Sequence, residues 1–246
     1  MELLNGMITT SGEGNISWFG NRQEKLVELI REIKPENIME LGFNMGHSAL
    51  LICKTIMDLK NNDPIYFSKK IQFYVFDICE HNTVKHNLQV LWETYKDHIT
   101  FTLVEGNSLE SIPNFFKQNN IKFDFIEIDG CHTYNCVRND VMNSWNNLSS
   151  RGVMYIDDYR STTCSIPDVD NGVDSLDWSN FNTNYIDGVF WVKRKPTELV
   201  IHNTKHQDYV DYLNKVDSLL GETDAEMLQF NIEYLKSITK ALIKRL

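Results

Sequence analysis

Three aspartates stand at the ends of two apolar runs, where they can act together. Asp129 follows the run Phe123 to Ile128, and Asp157 and Asp158 follow the run Val153 to Ile156. If both runs are neighbouring parallel strands, their carboxyl ends meet at one edge of the sheet. Carboxylates in one place repel each other, so a cation is needed to keep them ionised. An all-oxygen set suits Mg²⁺, Mn²⁺ or Ca²⁺, and we predict a metal site here, although such aspartates also cap helices or pair with Lys and Arg.

A histidine follows the first of these aspartates, in the segment Asp129-Gly130-Cys131-His132. Imidazole has a reference pKa of about 6.5 and can accept a proton at neutral pH. A hydroxyl is a poor nucleophile until it is deprotonated, and a cation beside it lowers its pKa. We therefore predict that His132 is a catalytic base. The alternative is a histidine that is hydrogen-bonded to a neighbouring carboxylate and takes no part in chemistry.

A glycine-containing turn precedes the acidic segments, between Glu40 and Ser48. Gly42 and Gly46 allow the backbone to turn tightly and to approach a ligand, and the helix expected after them offers free N–H groups. The spacing is G-x-x-x-G instead of the dinucleotide fingerprint G-x-G-x-x-G, which disfavours a dehydrogenase. Asp77 ends the next apolar run, where a carboxylate can accept hydrogen bonds from both hydroxyls of a ribose. An ordinary strand-to-helix turn is the alternative.

Alternating strand and helix patterns position these residues, and they indicate βαβ units with a parallel sheet. The predicted strands are Ile38 to Leu41, Ile71 to Ile78, Ile99 to Val104, Phe123 to Ile128 and Val153 to Ile156. The predicted helices between them are Ser48 to Leu59, Thr83 to Tyr95, Leu109 to Gln118 and Tyr134 to Leu148. We expect an α/β fold with a Rossmann-like, doubly wound sheet.

The segment after the fifth strand is less regular. Arg160 to Tyr185 is polar, with a short helix expected around Gly172 to Trp178, and it is either a lid or a solvated excursion. Strand-like runs at Val189 to Val192 and Leu199 to Ile201 predict a terminal antiparallel hairpin.

Helices are expected at both ends of the chain. One leads in from Trp18 to Ile33, and two amphipathic helices follow the hairpin. We predict one domain over residues 1–205 and a helical extension over residues 206–246. The apolar stripe of that extension can pack on its own domain or on a second copy, which leaves a homodimer open.

Residues 18–200 resemble class I S-adenosylmethionine-dependent methyltransferases. The likeness rests on the turn from Glu40 to Ser48, on Asp77 and on Glu105-Gly106-Asn107-Ser108 after the third strand. It implies a seven-stranded sheet with a terminal antiparallel hairpin, and S-adenosyl-L-methionine as methyl donor. It places Glu40 near the methionine moiety, Asp77 at the ribose, and the third segment near the adenine. The donor-binding residues that we expect are Glu40, Gly42, Asn44, Gly46, Ser48, Asp77, Asn107, Ser108 and Asp129.

The acidic segments resemble a narrower group, the metal-dependent sugar, macrolide and catechol O-methyltransferases. Asp129-Gly130-x-His132-x-Tyr134, with Asp140 on the next helix and Asp157-Asp158-Tyr159 after the fifth strand, is closest to the sugar and antibiotic branch. Cys131 stands where some members carry an acid. The resemblance implies that Asp129, Asp157 and Asp158 bind the metal. It also implies methylation of a hydroxyl on a small molecule, a sugar or a sugar-bearing compound.

The composition limits the partners and the compartment. With 24 Lys plus Arg against 34 Asp plus Glu, the net charge of −10 argues against nucleic acid, whose binding depends on basic side chains. No apolar run approaches the roughly 18 to 20 residues of a membrane span. The 5 cysteines form no C-x-x-C pair, which favours a reducing, intracellular and cytoplasmic location.

Two other functions remain open at this point. A metal-independent methyltransferase, with His132 alone as base on an O or N acceptor, would keep its activity in the presence of a chelator. A binding or assembly protein with the same fold would bind the donor without transferring its methyl group. The acceptor itself, a nucleotide sugar, a glycan terminus, a polyketide or a catechol, is left open.

Overall fold

The structure is a computed structural model that describes residues 3–9, 20–163 and 165–195. The strands in these ranges are β1 (Asn37–Leu41), β2 (Ile71–Asp77), β3 (Ile99–Glu105), β4 (Phe123–Ile128), β5 (Leu148–Tyr159), β6 (Phe181–Ile186) and β7 (Gly188–Arg194). The α-helices are α1 (Gly20–Ile33), α2 (His47–Asn62), α3 (Pro64–Phe67), α4 (Thr83–Tyr95), α5 (Ser108–Gln118), α6 (Tyr134–Ser144) and α7 (Pro167–Asp174).

The seven strands form one sheet in the order β3-β2-β1-β4-β5-β7-β6. The first five strands pair in parallel, and β7 runs antiparallel to both β5 and β6. Because β1 lies between β2 and β4, the winding of the chain reverses there. The crevice at the carboxyl ends of β1 and β4 is therefore the topological switch point at which open α/β sheets bind ligands.

Helices cover both faces of the sheet. Side chains of α1, α2 and α4 pack on one face, and side chains of α5, α6 and α7 pack on the other. Strands that are buried on both faces are expected to be nearly continuous apolar runs, and most of these are. Glu40 in β1 and Glu127 in β4 are fully buried exceptions, since each is an acid with at most 1% of its surface exposed.

The predicted α/β sheet is confirmed, including its seven strands and its antiparallel hairpin. The predicted core strands and the helices between them are all present, with bounds that mostly agree to within three residues. The fifth strand differs more, because β5 continues on both sides of the predicted run Val153 to Ile156.

The hairpin partner was predicted wrongly. β7 contains the predicted run Val189 to Val192, but its partner β6 precedes it in the chain and lies inside the segment predicted to be irregular. β6 was missed because most of its side chains are polar and exposed, as an edge strand permits. The rest of that segment contains α7, which begins at Pro167, earlier than the helix predicted around Gly172 to Trp178.

Several predictions lie outside the described residues. These are the start of the lead-in helix at Trp18, the strand-like run Leu199 to Ile201, the domain boundary near residue 205 and the helical extension 206–246. Among the helices that are described, none is long and apolar enough to cross a membrane.

Candidate active site

The turn between β1 and α2 can be formed only with glycine at two positions. Gly42 has a φ of +87°, and a Cβ added to it would lie 2.1 Å from the carbonyl oxygen of Asp129. Gly46 has a φ of +72°, and its Cβ would lie 2.4 Å from the ring of Phe43. The backbone of the turn is therefore in close contact with the end of β4, and α2 begins directly after it at His47.

Asp77 fixes this turn from the end of β2. Its Oδ2 accepts hydrogen bonds from the backbone N–H groups of Phe43 (2.8 Å) and Asn44 (3.3 Å). Its Oδ1 accepts one from the N–H of Cys79 (2.6 Å). The carboxylate predicted to hold the ribose thus already orients the glycine turn, and contact with a ribose would use its remaining lone pairs.

Two buried glutamates lie side by side beneath the turn. Ser48 donates a hydrogen bond to Glu40 Oε1 at 2.5 Å, and burial is the main cause that raises the pKa of Glu40 to about 8. Glu127 is the register partner of Glu40 across β1 and β4, and burial together with Glu40 raises its pKa as well. Glu127 was not among the predicted site residues. An acid inside the apolar run Phe123 to Ile128 was the available signal.

The segment after β3 caps the next helix. Asn107 Oδ1 accepts a hydrogen bond from the N–H of Leu109 at 3.0 Å, which makes Asn107 the N-cap of α5. Asp140 of α6 is buried close to Ser108 and to Gly130, and burial raises its pKa to about 6 against the lowering effect of Ser108. The predicted adenine-side residues therefore lie beside the loop that follows β4.

The predicted base and two of the predicted metal ligands come together at the carboxyl ends of β4 and β5. His132 Nε2 lies 3.2 Å from Asp129 Oδ1 and 3.5 Å from Asp158 Oδ2. One ligand atom from each of these three residues lies within 4.8 Å of the others. The third predicted ligand, Asp157, lies at the same edge but is not part of this group.

Asp157 instead faces an arginine that was not among the predicted site residues. Arg22 of α1 places Nη1 at 3.2 Å from both carboxylate oxygens of Asp157 and at 2.8 Å from Asp158 Oδ1. Its Nη2 donates to Ser161 Oγ at 2.7 Å. No local pattern marks Arg22, because Asp157 lies 135 residues away along the chain.

The electrostatics of this edge follow from burial and from the crowding of charges. Burial is the main cause that raises the pKa of Asp129, and burial together with Asp129 raises the pKa of Asp157, against the effect of Arg22. The hydrogen bond to Asp129 is the main cause that raises the pKa of His132 to about 9. At neutral pH and without a bound cation, His132 is therefore protonated, and a base in that form cannot accept a proton.

Carboxylates in the segment after β5, for which a lid or a solvated excursion was predicted, form hydrogen bonds with α6 and β5. Asp168 Oδ2 accepts from the N–H of Tyr134 at 3.3 Å, and Asp174 Oδ1 accepts from the hydroxyl of Tyr159 at 2.7 Å. Trp178 packs edge-on against Phe181 and other aromatic rings of the α7 face. These residues belong to the packed domain.

Residues 39–159, about half of the chain, match the model of a protein family described as a methyltransferase domain. The chain carries a methyltransferase domain. The matched segment runs from β1 to the end of β5, so it includes the glycine turn, Asp77, His132 and the three aspartates. The resemblance to class I S-adenosylmethionine-dependent methyltransferases is thereby confirmed, and the protein is a methyltransferase. A comparison with curated proteins finds no match.

Solved structures share the fold of this methyltransferase. The SAH-bound methyltransferase PaMTH1 of Podospora anserina is 17% identical, with 71% of this chain and 78% of that chain covered and a TM-score of 0.52. CalS11, a TDP-rhamnose 3'-O-methyltransferase of calicheamicin biosynthesis, is 14% identical over 73% and 80%, with a TM-score of 0.56. An O-methyltransferase from Bacillus cereus in complex with SAH is 14% identical over 75% and 84%, with a TM-score of 0.54. At these identities the likeness is one of fold.

Proposed function

We propose that this methyltransferase transfers the methyl group of S-adenosyl-L-methionine to a hydroxyl of a small molecule, a sugar or a sugar-bearing compound. We further propose that a divalent cation assists the transfer at the acidic edge, by which we mean Asp129, His132, Asp157 and Asp158 at the carboxyl ends of β4 and β5. The proposal depends on the position of Asp129. Its carbonyl oxygen is in contact with Gly42 in the donor turn, and its side chain lies 3.2 Å from His132 in the acidic group. One residue thus joins the proposed donor site to the proposed acceptor site.

On the donor side, the residues of the turn would bind and orient the methyl donor. S-adenosylmethionine supplies a methyl group on a positively charged sulfur, which is a good leaving group. Gly42 and Gly46 leave room for close approach, and Asp77 holds the turn and would accept hydrogen bonds from the ribose. Asn107 and Ser108 would border the adenine. Glu40 and Ser48, already hydrogen-bonded to each other, would support the turn near the methionine moiety.

On the acceptor side, the ligand atoms of Asp129, His132 and Asp158 fit a divalent cation. Two carboxylates and one imidazole form a mixed oxygen and nitrogen set, which suits Mn²⁺ better than Mg²⁺ or Ca²⁺. A cation bound there would lower the pKa of a hydroxyl beside it. Its charge would also favour loss of the proton of His132. The neutral imidazole can then either ligate the cation or accept the proton of the acceptor hydroxyl.

The acceptor class is supported by the structural neighbours and by the resemblance of the acidic segments to sugar O-methyltransferases. CalS11 is described as acting on TDP-rhamnose. The donor is supported by the neighbours whose structures contain SAH. The net charge of −10 disfavours nucleic acid as the acceptor.

The test is a methyl-transfer assay with labelled donor and a set of acceptors that includes nucleotide sugars, glycosides and catechols. Each acceptor is assayed with Mn²⁺, with Mg²⁺ and with EDTA, for the wild type and for Asp129→Asn. Asp97→Asn is the matched control, because Asp97 is an exposed aspartate two residues before β3, at the opposite edge of the sheet. We expect activity on a sugar hydroxyl that is lost with EDTA and in Asp129→Asn and is kept in Asp97→Asn. Absence of transfer to every hydroxylated acceptor would refute the proposal.

A metal-independent methyltransferase is the second candidate, and one observation favours it. Arg22 already supplies a positive charge to Asp157 and Asp158, so part of the acidic edge is neutralised without a cation. Methyl transfer at the same rate in the presence of EDTA and in the presence of added Mn²⁺ would select this mechanism.

A further inference from the structure

We propose that Arg22 is a positioning residue that decides which of the two adjacent aspartates near the end of β5 can bind a cation. It pairs with Asp157, so that Asp157 is not available as a ligand of the cation, and it orients Asp158 toward Asp129 and His132. This inference rests on the function proposed above, and specifically on a cation at the acidic edge.

Arg22 contacts both carboxylate oxygens of Asp157. Nη1 lies 3.2 Å from each carboxylate oxygen of Asp157, and the arginine side chain is 3% exposed. A guanidinium remains charged at every pH at which the protein is folded. Asp157 therefore has a permanent counter-charge in a site from which water is largely excluded.

Asp158 uses its two oxygens in different directions. Oδ1 accepts a hydrogen bond from Nη1 at 2.8 Å, while Oδ2 lies 3.5 Å from His132 Nε2. Nη2 is held by Ser161 Oγ at 2.7 Å, which fixes the plane of the guanidinium. With Oδ1 held by Arg22, Oδ2 is the oxygen that is oriented toward His132 and Asp129.

The backbone near the end of β5 is shaped so that two consecutive residues can reach one guanidinium. In a regular strand, neighbouring side chains point to opposite faces. The register between β5 and β7 shifts between Asp157 and Tyr159, and Asp158 has a φ of +61°. Such a bulge changes the direction of a side chain at the cost of local strain. The bulge therefore allows Asp157 and Asp158 to share Arg22.

The opposite strand is adapted to the same arginine. Gly188 is the partner of Tyr159 in β7 and has a φ of +80°. A Cβ at this position would lie 2.1 Å from Arg22 Nε. A side chain at position 188 would thus displace the guanidinium from the aspartates. Arg22 of α1 thus lies between the aspartates of β5 and Gly188 of β7.

The experiment measures Mn²⁺ binding to the full chain by electron paramagnetic resonance, without donor or acceptor. We expect Asp158→Asn to raise the Kd for Mn²⁺ more than about thirtyfold, because a ligand of the cation is lost. We expect Asp157→Asn to raise this Kd less than about tenfold, because only a charge that does not contact the cation is lost. In an Arg22→Gln background, Asp157 becomes available, so Asp157→Asn should cost at least about ten times more than it does in the wild type.

Two further variants serve as controls. Arg31→Gln removes another basic side chain of α1, an exposed one that pairs with Asp58, and it should leave the wild-type difference between the two aspartates unchanged. Arg22→Lys keeps the charge but not the fork, and it should restore part of that difference. If Arg22→Gln does not fold, the comparison of Asp157→Asn with Asp158→Asn in the wild-type background still decides the matter.

The outcomes separate this inference from the proposed function. Equal losses in Asp157→Asn and Asp158→Asn would overturn the inference and leave the cation site standing, as would an unchanged cost of Asp157→Asn in folded Arg22→Gln. No Mn²⁺ binding by the wild type would overturn the cation site together with this inference. Methyl transfer in EDTA would then show that the methyltransferase function itself stands.

Discussion

The protonation of His132 provides a test of how a cation would bind among the acidic residues. Its Nε2 lies 3.2 Å from Asp129 Oδ1 and 3.5 Å from Asp158 Oδ2, and these carboxylates raise the pKa of His132 to about 9. A protonated imidazole has no lone pair for a metal ion, and its charge repels one. A cation that binds all three residues must therefore displace this proton. We predict that the affinity for Mn²⁺ rises with pH.

The size of the effect follows from the pKa. With a pKa of about 9, about one molecule in a hundred has a neutral imidazole at about pH 7. Release of one proton per bound cation lowers the Kd about tenfold per pH unit up to about pH 8.5, with a plateau above about pH 9. The side chain of His132 is 41% exposed, so solvent screening weakens the pull of the carboxylates. Screening would move the plateau to lower pH without changing the slope.

The assay is titration calorimetry with Mn²⁺ between about pH 6.5 and 9, in pairs of buffers that differ in ionisation enthalpy, so that released protons are counted directly. His132→Gln keeps the approximate size of the side chain and should bind with a Kd that changes little above neutral pH. His98→Gln is the matched control, since His98 lies directly before β3 at the opposite edge of the sheet. A constant wild-type Kd, or a slope above neutral pH that is equally steep in His132→Gln, would refute the reasoning.

Three more predictions concern the donor turn. Burial keeps the proton on Glu40 up to about pH 8 in the folded state, whereas an unfolded chain loses it near the ordinary pKa of a glutamate. The stability of the protein should therefore fall as the pH rises through that interval. Glu40→Gln should make the Tm depend less on pH, and a pH profile identical to that of the wild type would contradict this. Gly42→Ala should cost about 2 to 4 kcal/mol in urea unfolding, from its positive φ and the clash with Asp129, while Gly20→Ala, with open space around it, should cost almost nothing. Asp77→Asn should raise the Kd for S-adenosylhomocysteine, measured by calorimetry, about ten- to a hundredfold, because charge-assisted hydrogen bonds are lost. A change below about twofold would exclude Asp77 from donor binding.

The central sheet could be predicted because its strands are buried on both faces and therefore consist of apolar runs of strand length. β6 could not be predicted in the same way. Among the described strands it pairs only with β7, and the sequence Phe181–Ile186 exposes most of its side chains to water. Its strand character comes from hydrogen bonds to β7, and no apolar pattern records them. The nearby strand-like run Leu199 to Ile201 had the stronger local pattern, which explains the wrong choice of partner.

The acidic edge was predictable to the extent that topology alone determines it. Asp129 and Asp158 end neighbouring parallel strands, and His132 follows Asp129 by three residues, so their proximity follows from the order of the sheet. The separate environment of Asp157 depends on Arg22 and on a bulge, and neither has a local signature in the sequence. The crowding of carboxylates predicted that a counter-charge was needed. It could not have distinguished a metal ion from an arginine 135 residues away.

The arginine also shows that the matched methyltransferase domain does not contain the whole site. Residues 39–159 include the glycine turn, the three aspartates and His132, but Arg22 and Gly188 lie outside them. Removing one partner from a buried ion pair leaves an uncompensated charge, at a cost of about 3 to 5 kcal/mol. Without α1, Asp157 would have to be protonated or find another cation, and Asp158 would lose the contact that orients it. The helix before the matched segment and the hairpin after it are thus part of the candidate active site, because they determine the charge and direction of the carboxylates that the matched segment supplies.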